Sequence, residues 1–194
     1  MELRTNSDQD LVHLYLTGNE SGLAELIRRH KSKIYTSIYL LVKDSYLAED
    51  IFQDTFIKVI NTLKAGKYNE EGKFLPWVIR IAHNLVIDHF RKDKRSPVMA
   101  NVEGFDIFDV LKSHDESMEE RMVREQTYKD LKAMIHLLPA EQKEVLIMRH
   151  YGDLSFKEIA DITEVSINTA LGRMRYALNN LRKMMESKEM SLKN

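Results

Sequence analysis

The stretch from Leu137 to Lys183 constrains the fold of this 194-residue chain more than any other segment. Its helix-capping and turn residues predict three short helices joined by tight turns. Ser155 and Glu158 have the spacing of a reciprocal capping box, which marks the start of the second helix. That helix ends at about Val165, and a new cap at Ser166 begins the third. This arrangement is typical of a helix-turn-helix that reads DNA.

The third helix divides into an apolar side and a polar side. Its apolar side is predicted to contain Ile167, Ala170, Leu171, Met174, Leu178 and Leu181. Opposite lie residue types that contact bases and phosphates, namely Asn168, Thr169, Gly172, Arg173, Arg175 and Tyr176. The alternative is an ordinary solvated face on a helical hairpin. The tight turn and the two caps favour DNA reading.

The composition predicts an almost wholly helical protein, all-α, with room for two small domains. Seven glycines and three prolines are few for 194 residues, and 43% hydrophobic residues suffice for real cores. The chain has no cysteine, which excludes disulfides, thiolate catalysis and cysteine-ligated zinc. A polar start and the lack of a membrane-spanning apolar run predict a cytoplasmic protein without membrane insertion.

The net charge of −1 is unusual for a protein that must hold DNA by itself. Either the charge is segregated along the chain or a partner contributes affinity. Segregation is visible, since Arg91, Lys92, Lys94 and Arg95 crowd one place. A strongly acidic stretch between Glu103 and Glu120 indicates a linker.

The N-terminal half is predicted to be helical from Asp8 to about Leu63, with breaks at Gly18-Asn19 and at 43–45. In its last segment a buried stripe is expected from Ala48, Phe52, Phe56, Val59 and Leu63. The other face carries Asp50, Gln53, Asp54 and Ile57, which suits a protein interface. On these residues alone, ordinary solvated surface is the better interpretation.

A further helix runs from the segment FLPW to Lys92, with Pro76 in its first turn. Trp77, Ile81 and Leu85 are expected to pack inward. Polar and basic groups lie near one another on the rest of this helix, at Arg80, His83, Asn84, Asp88, Arg91 and Lys92. Aromatic rings beside cations suit single-stranded nucleic acid, although Trp77 taken alone indicates a core anchor.

Four segments in this order resemble the extracytoplasmic-function class of bacterial sigma factors, the compact members of the sigma-70 family. They are SDQDLV with Gly18-Asn19-Glu20, DSYLAEDIFQDTF, FLPWVIRIAHNLVIDHFRK, and LPAEQKEVLIMRHYGDLSFKEIADITEVSINTALGRMRYAL. The resemblance implies region 2 at 8–95, a linker at 96–121 and region 4 at 122–188. It also implies a transcription initiation factor that is not an enzyme and needs no cofactor or metal.

The partners implied by the resemblance are core RNA polymerase, through its largest-subunit clamp helices and its flap, then promoter DNA, then an anti-sigma factor. Polymerase contacts would fall on Asp50, Gln53 and Asp54. The −10 element would meet Trp77, Arg80, His83 and Asn84, with Asn84 at a base edge, while Arg91 and Lys92 hold phosphates. The −35 element would meet Asn168, Thr169, Arg173, Arg175 and Tyr176, with Arg173 the strongest contact.

Three positions depart from the family pattern. Glu164 stands where the family commonly has glycine in the turn, and left-handed geometry there would cost roughly 1 kcal/mol. Leu171 replaces a commonly basic residue, so it is expected to pack inward or to touch a thymine methyl. Gly22-Leu23 replaces an alanine-phenylalanine pair.

Two other functions compete with this one. A two-domain repressor or activator would keep the helix-turn-helix and use residues 8–95 for ligand binding or dimerisation, but it leaves the Trp77 to Lys92 helix without a role. A metal hydrolase would need a site built from His83, Asp88 and His89 with Asp50 and Asp54. No His-x-x-x-His pair or glycine-rich phosphate loop supports it.

Overall fold

The computed structural model describes residues 3–69, 72–93 and 118–192, and these form helices joined by turns, with no strand among them. The all-α prediction is confirmed. After a short 3-10 turn at Leu3–Thr5, the helices are α1 (Asp8–Leu16), α2 (Glu20–Val42), α3 (Ser45–Lys64), α4 (Phe74–Asp93), α5 (Met118–Leu137), α6 (Ala140–His150), α7 (Phe156–Thr163) and α8 (Ile167–Leu192). The chain folds into two compact units, with α1–α4 in the first and α5–α8 in the second.

In the first unit α2 is the central helix, and α1, α3 and α4 all pack against it. The predicted breaks are confirmed. Asn19 caps α2 with its side chain, Lys43 ends α2 in the left-handed conformation, and Asp44 caps α3 by accepting from the backbone N–H groups of Tyr46 and Leu47. Pro76 is the third residue of α4, within its first turn as predicted.

Gly22 explains how closely α1 and α2 approach. A Cβ atom at this position would overlap the carbonyl oxygen of Leu11 in α1. Glycine therefore lets the two backbones meet. The departure from the family's alanine at this position has a packing reason.

The second unit is arranged around α8, which contacts α5, α6 and α7. Ser155 caps α7 by accepting from the backbone N–H of Glu158, and the Glu158 carboxylate accepts from the backbone N–H of Ser155 at 2.8 Å. The predicted capping box is confirmed. Glu164 then ends α7 with φ 54° and ψ 41°, which is the left-handed geometry that the family's glycine suggests.

The apolar periodicity located the helices but misassigned some buried positions. On α4 the buried line follows Leu75, Val78, Ile79, Ala82 and Val86, whereas Trp77, Ile81 and Leu85 are only half-buried. On α8 the buried residues are Ala170, Ala177 and Leu181, whereas Ile167, Leu171 and Leu178 are exposed. Inward packing of Ile167 and Leu178 was wrongly expected, because the neighbouring helices cover only a narrow strip of α8. For Leu171 the exposure excludes inward packing and leaves the other expected role, contact with a thymine methyl.

The predicted linker, 96–121, lies outside the described residues up to position 117. From Met118 onward the chain is helical as part of α5. The basic residues Lys94 and Arg95 also lie outside the described ranges.

Candidate nucleic-acid interface

One exposed face of α3 carries acidic and amide groups between two large side chains. Ala48, Phe52, Phe56, Val59 and Leu63 are buried as predicted. Asp50, Gln53 and Asp54 are exposed. Tyr46 is 79% exposed and Ile57 is 55% exposed, and at 100° per residue both fall within about 60° of Asp50 and Gln53. We call Tyr46, Asp50, Gln53 and Ile57 the α3 stripe.

A second exposed face runs along α4. Trp77, Arg80, Asn84 and Arg91 fall within about 60° of the helix circumference. Arg80, Asn84, Arg91 and Lys92 are exposed, and the guanidinium of Arg91 lies 4.0 Å from the carboxylate of Asp88. An amide and two cations therefore share one side of the helix, and Lys92 lies beside them, about 100° from Arg91.

Trp77 is anchored in an aromatic cluster. Its ring centroid lies 4.3 Å from that of Tyr68 in the preceding loop and 5.9 Å from that of Phe74. These contacts hold the loop against the start of α4. Trp77 is half-buried, so it keeps some exposed surface within this cluster.

His83 is only 5% exposed and lies with the buried residues of α4. The sequence grouped it with Arg80 and Asn84, but the structure does not bring it to their face. The reason is geometric, since His83 is rotated about 100° from Asn84 around the helix. We therefore do not include it among the groups that can reach DNA.

The helix-turn-helix is held by specific contacts within the second unit. Arg149 at the end of α6 donates to the carbonyl oxygen of Leu154 at 2.8 Å, and its guanidinium lies 5.6 Å from the ring centroid of Phe156. On the other side, Asn180 of α8 donates to Gln142 of α6 at 2.8 Å. These contacts set α7 and α8 relative to α6.

The first turns of α8 present most of the predicted −35 residues. Asn168, Thr169, Arg175 and Tyr176 are exposed. The hydroxyl of Thr169 contacts that of Ser166 at 2.8 Å, and Ser166 accepts from the backbone N–H of Thr169. Thr169 is therefore engaged in capping α8.

Arg173 is half-buried because it lies one turn from the buried Ala170 and Ala177. It is therefore less accessible than Arg175 and Tyr176, which are exposed. That Arg173 makes the strongest −35 contact stays a prediction.

The described residues support neither a metal site nor a membrane span. Within those ranges, no group of three or more His, Cys, Asp or Glu side chains could hold a metal ion, so the hydrolase alternative gains no support from them. Among the helices of the same ranges, none has the length and apolarity needed to cross a membrane.

Two family models match the chain in sequence order. Sigma-70 region 2 matches residues 26–96, which includes α3 and α4, and Sigma-70 region 4 matches residues 128–180, which includes the helix-turn-helix. The chain belongs to the sigma-70 family. Its relatives place it in the extracytoplasmic-function class.

Curated relatives resemble this sigma factor over nearly their whole length. The extracytoplasmic-function sigma factor SigW of Bacillus subtilis is 27% identical over 87% of this chain and 91% of its own. The sigma-H factor of Pseudomonas aeruginosa is 28% identical, over 89% and 90% respectively. SigV of Bacillus subtilis is 29% identical, over 87% and 94%.

Solved structures show the same fold. CnrH, determined in complex with the cytosolic domain of CnrY, superposes with a TM-score of 0.61 at 18% identity, over 94% of this chain and 99% of its own. The sigma factor RpoE of Bartonella quintana, determined with the anti-sigma factor NepR, gives a TM-score of 0.63 at 19% identity, over 84% and 96%.

Sequence reasoning missed two features of this sigma factor. It did not add Tyr46 to the α3 stripe, although the spacing of Tyr46 and Asp50 by four residues was available as a signal. It also placed Leu178 inside, because an apolar residue at helical spacing is normally buried. Only the positions of α5, α6 and α7 decide which part of a broad apolar stripe is covered.

Proposed function

We propose that this sigma factor binds core RNA polymerase through its first unit and directs it to promoters by reading the −10 and −35 elements. The proposal rests on one observation. Both family matches cover helices whose exposed faces carry residue types suited to binding DNA. The factor is an initiation subunit and not a catalyst, and it acts in the cytoplasm. Domains at 8–95 and 122–188 would carry the two tasks, and of the linker predicted at 96–121 the last four positions belong to α5.

The α3 stripe, together with Asp54, is the proposed docking surface for the clamp helices of the largest polymerase subunit. The exposed phenol of Tyr46 and the exposed Ile57 support this assignment, because large apolar groups left in water favour an interface. On the same helix, the exposed Asp50, Gln53 and Asp54 offer negative charge and hydrogen-bonding groups to a partner. The flap would contact the second unit.

The exposed face of α4 is the proposed surface for the −10 element. Asn84 can donate and accept at a base edge, and Trp77 can stack on a base from its anchored position. Arg80, Arg91 and Lys92 are placed to follow the phosphates, which orient the strand without specifying its sequence. A base that leaves the opened duplex would be read on this face.

The first turns of α8 are the proposed surface for the −35 element. In a helix-turn-helix, the N-terminal residues of the second helix reach the major-groove base edges. Asn168, Arg175 and Tyr176 are the exposed residues best placed for this, with Thr169 and Arg173 at the flank.

We further propose control by an anti-sigma factor. Two proteins of similar fold were solved with partners, one of them described as an anti-sigma factor. A protein that covers the α3 stripe would prevent polymerase binding.

The alternative of a two-domain repressor differs in one measurable respect. It predicts operator binding without polymerase and gives the α3 stripe no part in binding polymerase. The following substitution separates the two functions.

Asp50→Arg tests the polymerase surface. Asp50 is exposed in the middle of the α3 stripe, so charge reversal leaves the buried face of α3 intact. We expect the affinity for core polymerase, measured by fluorescence anisotropy with labelled sigma factor, to fall at least about tenfold, because truncating or reversing a central charge commonly costs about 2 kcal/mol or more. Circular dichroism should be unchanged.

Glu49→Arg is the comparison variant, because Glu49 is also exposed and acidic but lies at the edge of the α3 stripe, about 100° from Asp50 and about 40° from Gln53. It should weaken binding to core polymerase clearly less than Asp50→Arg does. Undiminished binding by Asp50→Arg would exclude the α3 stripe as the docking surface.

A further inference from the structure

Leu171 presents an apolar side chain in the part of α8 that is proposed to face DNA. It is 43% exposed, in the second turn of the helix. Ala170, Ala177 and Leu181 make the buried strip of α8, so Leu171 is not needed to complete that core. At 100° per residue, Leu171 falls within about 100° of Asn168, Gly172 and Arg175.

The neighbouring Gly172 has no packing reason to be glycine. A Cβ atom added there would meet no atom within 4 Å, whereas one at Gly22 would overlap the backbone of α1. The backbone of Gly172 is helical and is not in the positive-φ conformation found at Gly18, Gly66 and Gly72. Glycine weakens a helix interior, and the open space beside Gly172 leaves room for a group outside the protein to come close.

We propose that Leu171 and Gly172 together form a contact for a thymine C5-methyl group in the −35 element. The inference rests on the proposed −35 function of α8. Thymine carries the apolar group of the major-groove edge, and an aliphatic side chain recognises it without a hydrogen bond. The missing Cβ of Gly172 lets the base edge come close enough for Leu171 to cover that methyl.

Leu178 allows this contact to be separated from ordinary exposed apolar surface. It is 48% exposed and lies seven residues after Leu171, on nearly the same side of α8. The rise of the helix places it about 10 Å farther from the N-terminus than Leu171 and about 3 Å past Tyr176, the last residue of the proposed −35 surface. Leu171 and Leu178 are thus a matched pair in chemistry and exposure.

The experiment uses the holoenzyme, assembled from core polymerase and this sigma factor. Its preferred −35 sequence is first selected by transcription from promoters that are randomised upstream. Each thymine of the selected element is then replaced by deoxyuridine, which removes the methyl group alone. Binding of promoter DNA is compared for native, Leu171→Ala and Leu178→Ala holoenzymes.

At one thymine, deoxyuridine should weaken binding by the native holoenzyme about fourfold, the effect of exposing one methyl group. Leu171→Ala should bind both DNAs equally well, and Leu178→Ala should keep the fourfold difference. Gly172→Ala should raise Tm and weaken binding to the thymine-containing promoter.

Several results would overturn the inference. The selected −35 element could lack thymine, or the native holoenzyme could bind the thymine and deoxyuridine promoters equally well. The Leu171→Ala holoenzyme could keep the full fourfold difference between the two promoters. The Leu178→Ala holoenzyme could lose that difference as completely as Leu171→Ala does, and this last result would indicate a protein-docking surface. Unchanged promoter affinity in Gly172→Ala would exclude the close approach. Failure of the proposed function differs from all of these, because native holoenzyme would then show no upstream preference at all.

Discussion

Glu164 adopts the left-handed conformation that ends α7 and begins the turn into α8. Its backbone N–H donates to the carbonyl oxygen of Ala160, and that of Val165 donates to the same oxygen at 3.0 Å. A residue with a Cβ atom is strained in this geometry, and glycine is not. Glu164 therefore forms the turn between α7 and α8 at the cost of local backbone strain.

Glu164→Gly should relieve this strain and raise the free energy of unfolding of the second unit by about 1 kcal/mol. Chemical denaturation followed by circular dichroism would measure it. Glu164→Ala is the control, since it removes the exposed carboxylate but retains the Cβ atom. A gain of equal size in the alanine variant would show that charge, and not backbone strain, limits stability at this turn.

At the scale of elements, the carboxylate of Asp8 in α1 binds two side chains of α2. Asp8 accepts from Nη1 of Arg29 at 2.7 Å, and its other oxygen lies 2.7 Å from Nε2 of His30. Arg29 also donates to the carbonyl oxygen of Asn6 at 3.0 Å. His30 is buried and its ring centroid lies 5.9 Å from that of Phe74 in α4. Three helices thus meet at one imidazole.

This arrangement predicts acid sensitivity of the first unit. Burial lowers the pKa of the His30 imidazole below its usual value of 6.5, although the Asp8 carboxylate opposes the shift. Since the folded state disfavours protonation, the stabilisation is complete above about pH 6.5 and is lost as pH falls through the lowered pKa. The unfolding midpoint should therefore fall more steeply below about pH 6.5 in the native protein than in His30→Gln, in urea titrations at several pH values. Parallel pH profiles would show that His30 does not contribute.

The helices themselves were predictable because their signals are local. Asp44 and Ser155 are capping residues at fixed offsets from the groups they bind, so the starts of α3 and α7 follow from sequence. The burial of His83 and the exposure of Leu171 were not predictable. They depend on which strip of α4 or α8 the other helices cover, and that is set by tertiary packing.

At the scale of the whole molecule, the net charge of −1 bears on how DNA affinity is divided. The exposed cations on α4 and α8 are balanced by acidic residues elsewhere in the chain. Phosphate neutralisation supplies most non-specific DNA affinity, so a near-neutral chain should hold DNA weakly unless polymerase contributes. This agrees with a subunit that positions base-reading side chains on a larger DNA-binding enzyme.

The isolated sigma factor should therefore bind a promoter duplex no more tightly than about 10⁻⁶ M at physiological salt, the usual range for non-specific binding. Adding core polymerase should tighten binding by orders of magnitude. Fluorescence anisotropy of a labelled promoter, with and without core, would measure both values. Nanomolar binding by the chain alone would favour the repressor interpretation.

In vitro transcription on a genomic promoter library tests the central claim most directly. Core RNA polymerase is supplied with or without this chain, and transcript starts are mapped by sequencing. The account predicts a defined set of start sites that requires the chain, shares upstream and −10 sequence elements, and is lost with Asp50→Arg but kept with Glu49→Arg. The absence of any chain-dependent start site, with a folded sample and an active core, would contradict it.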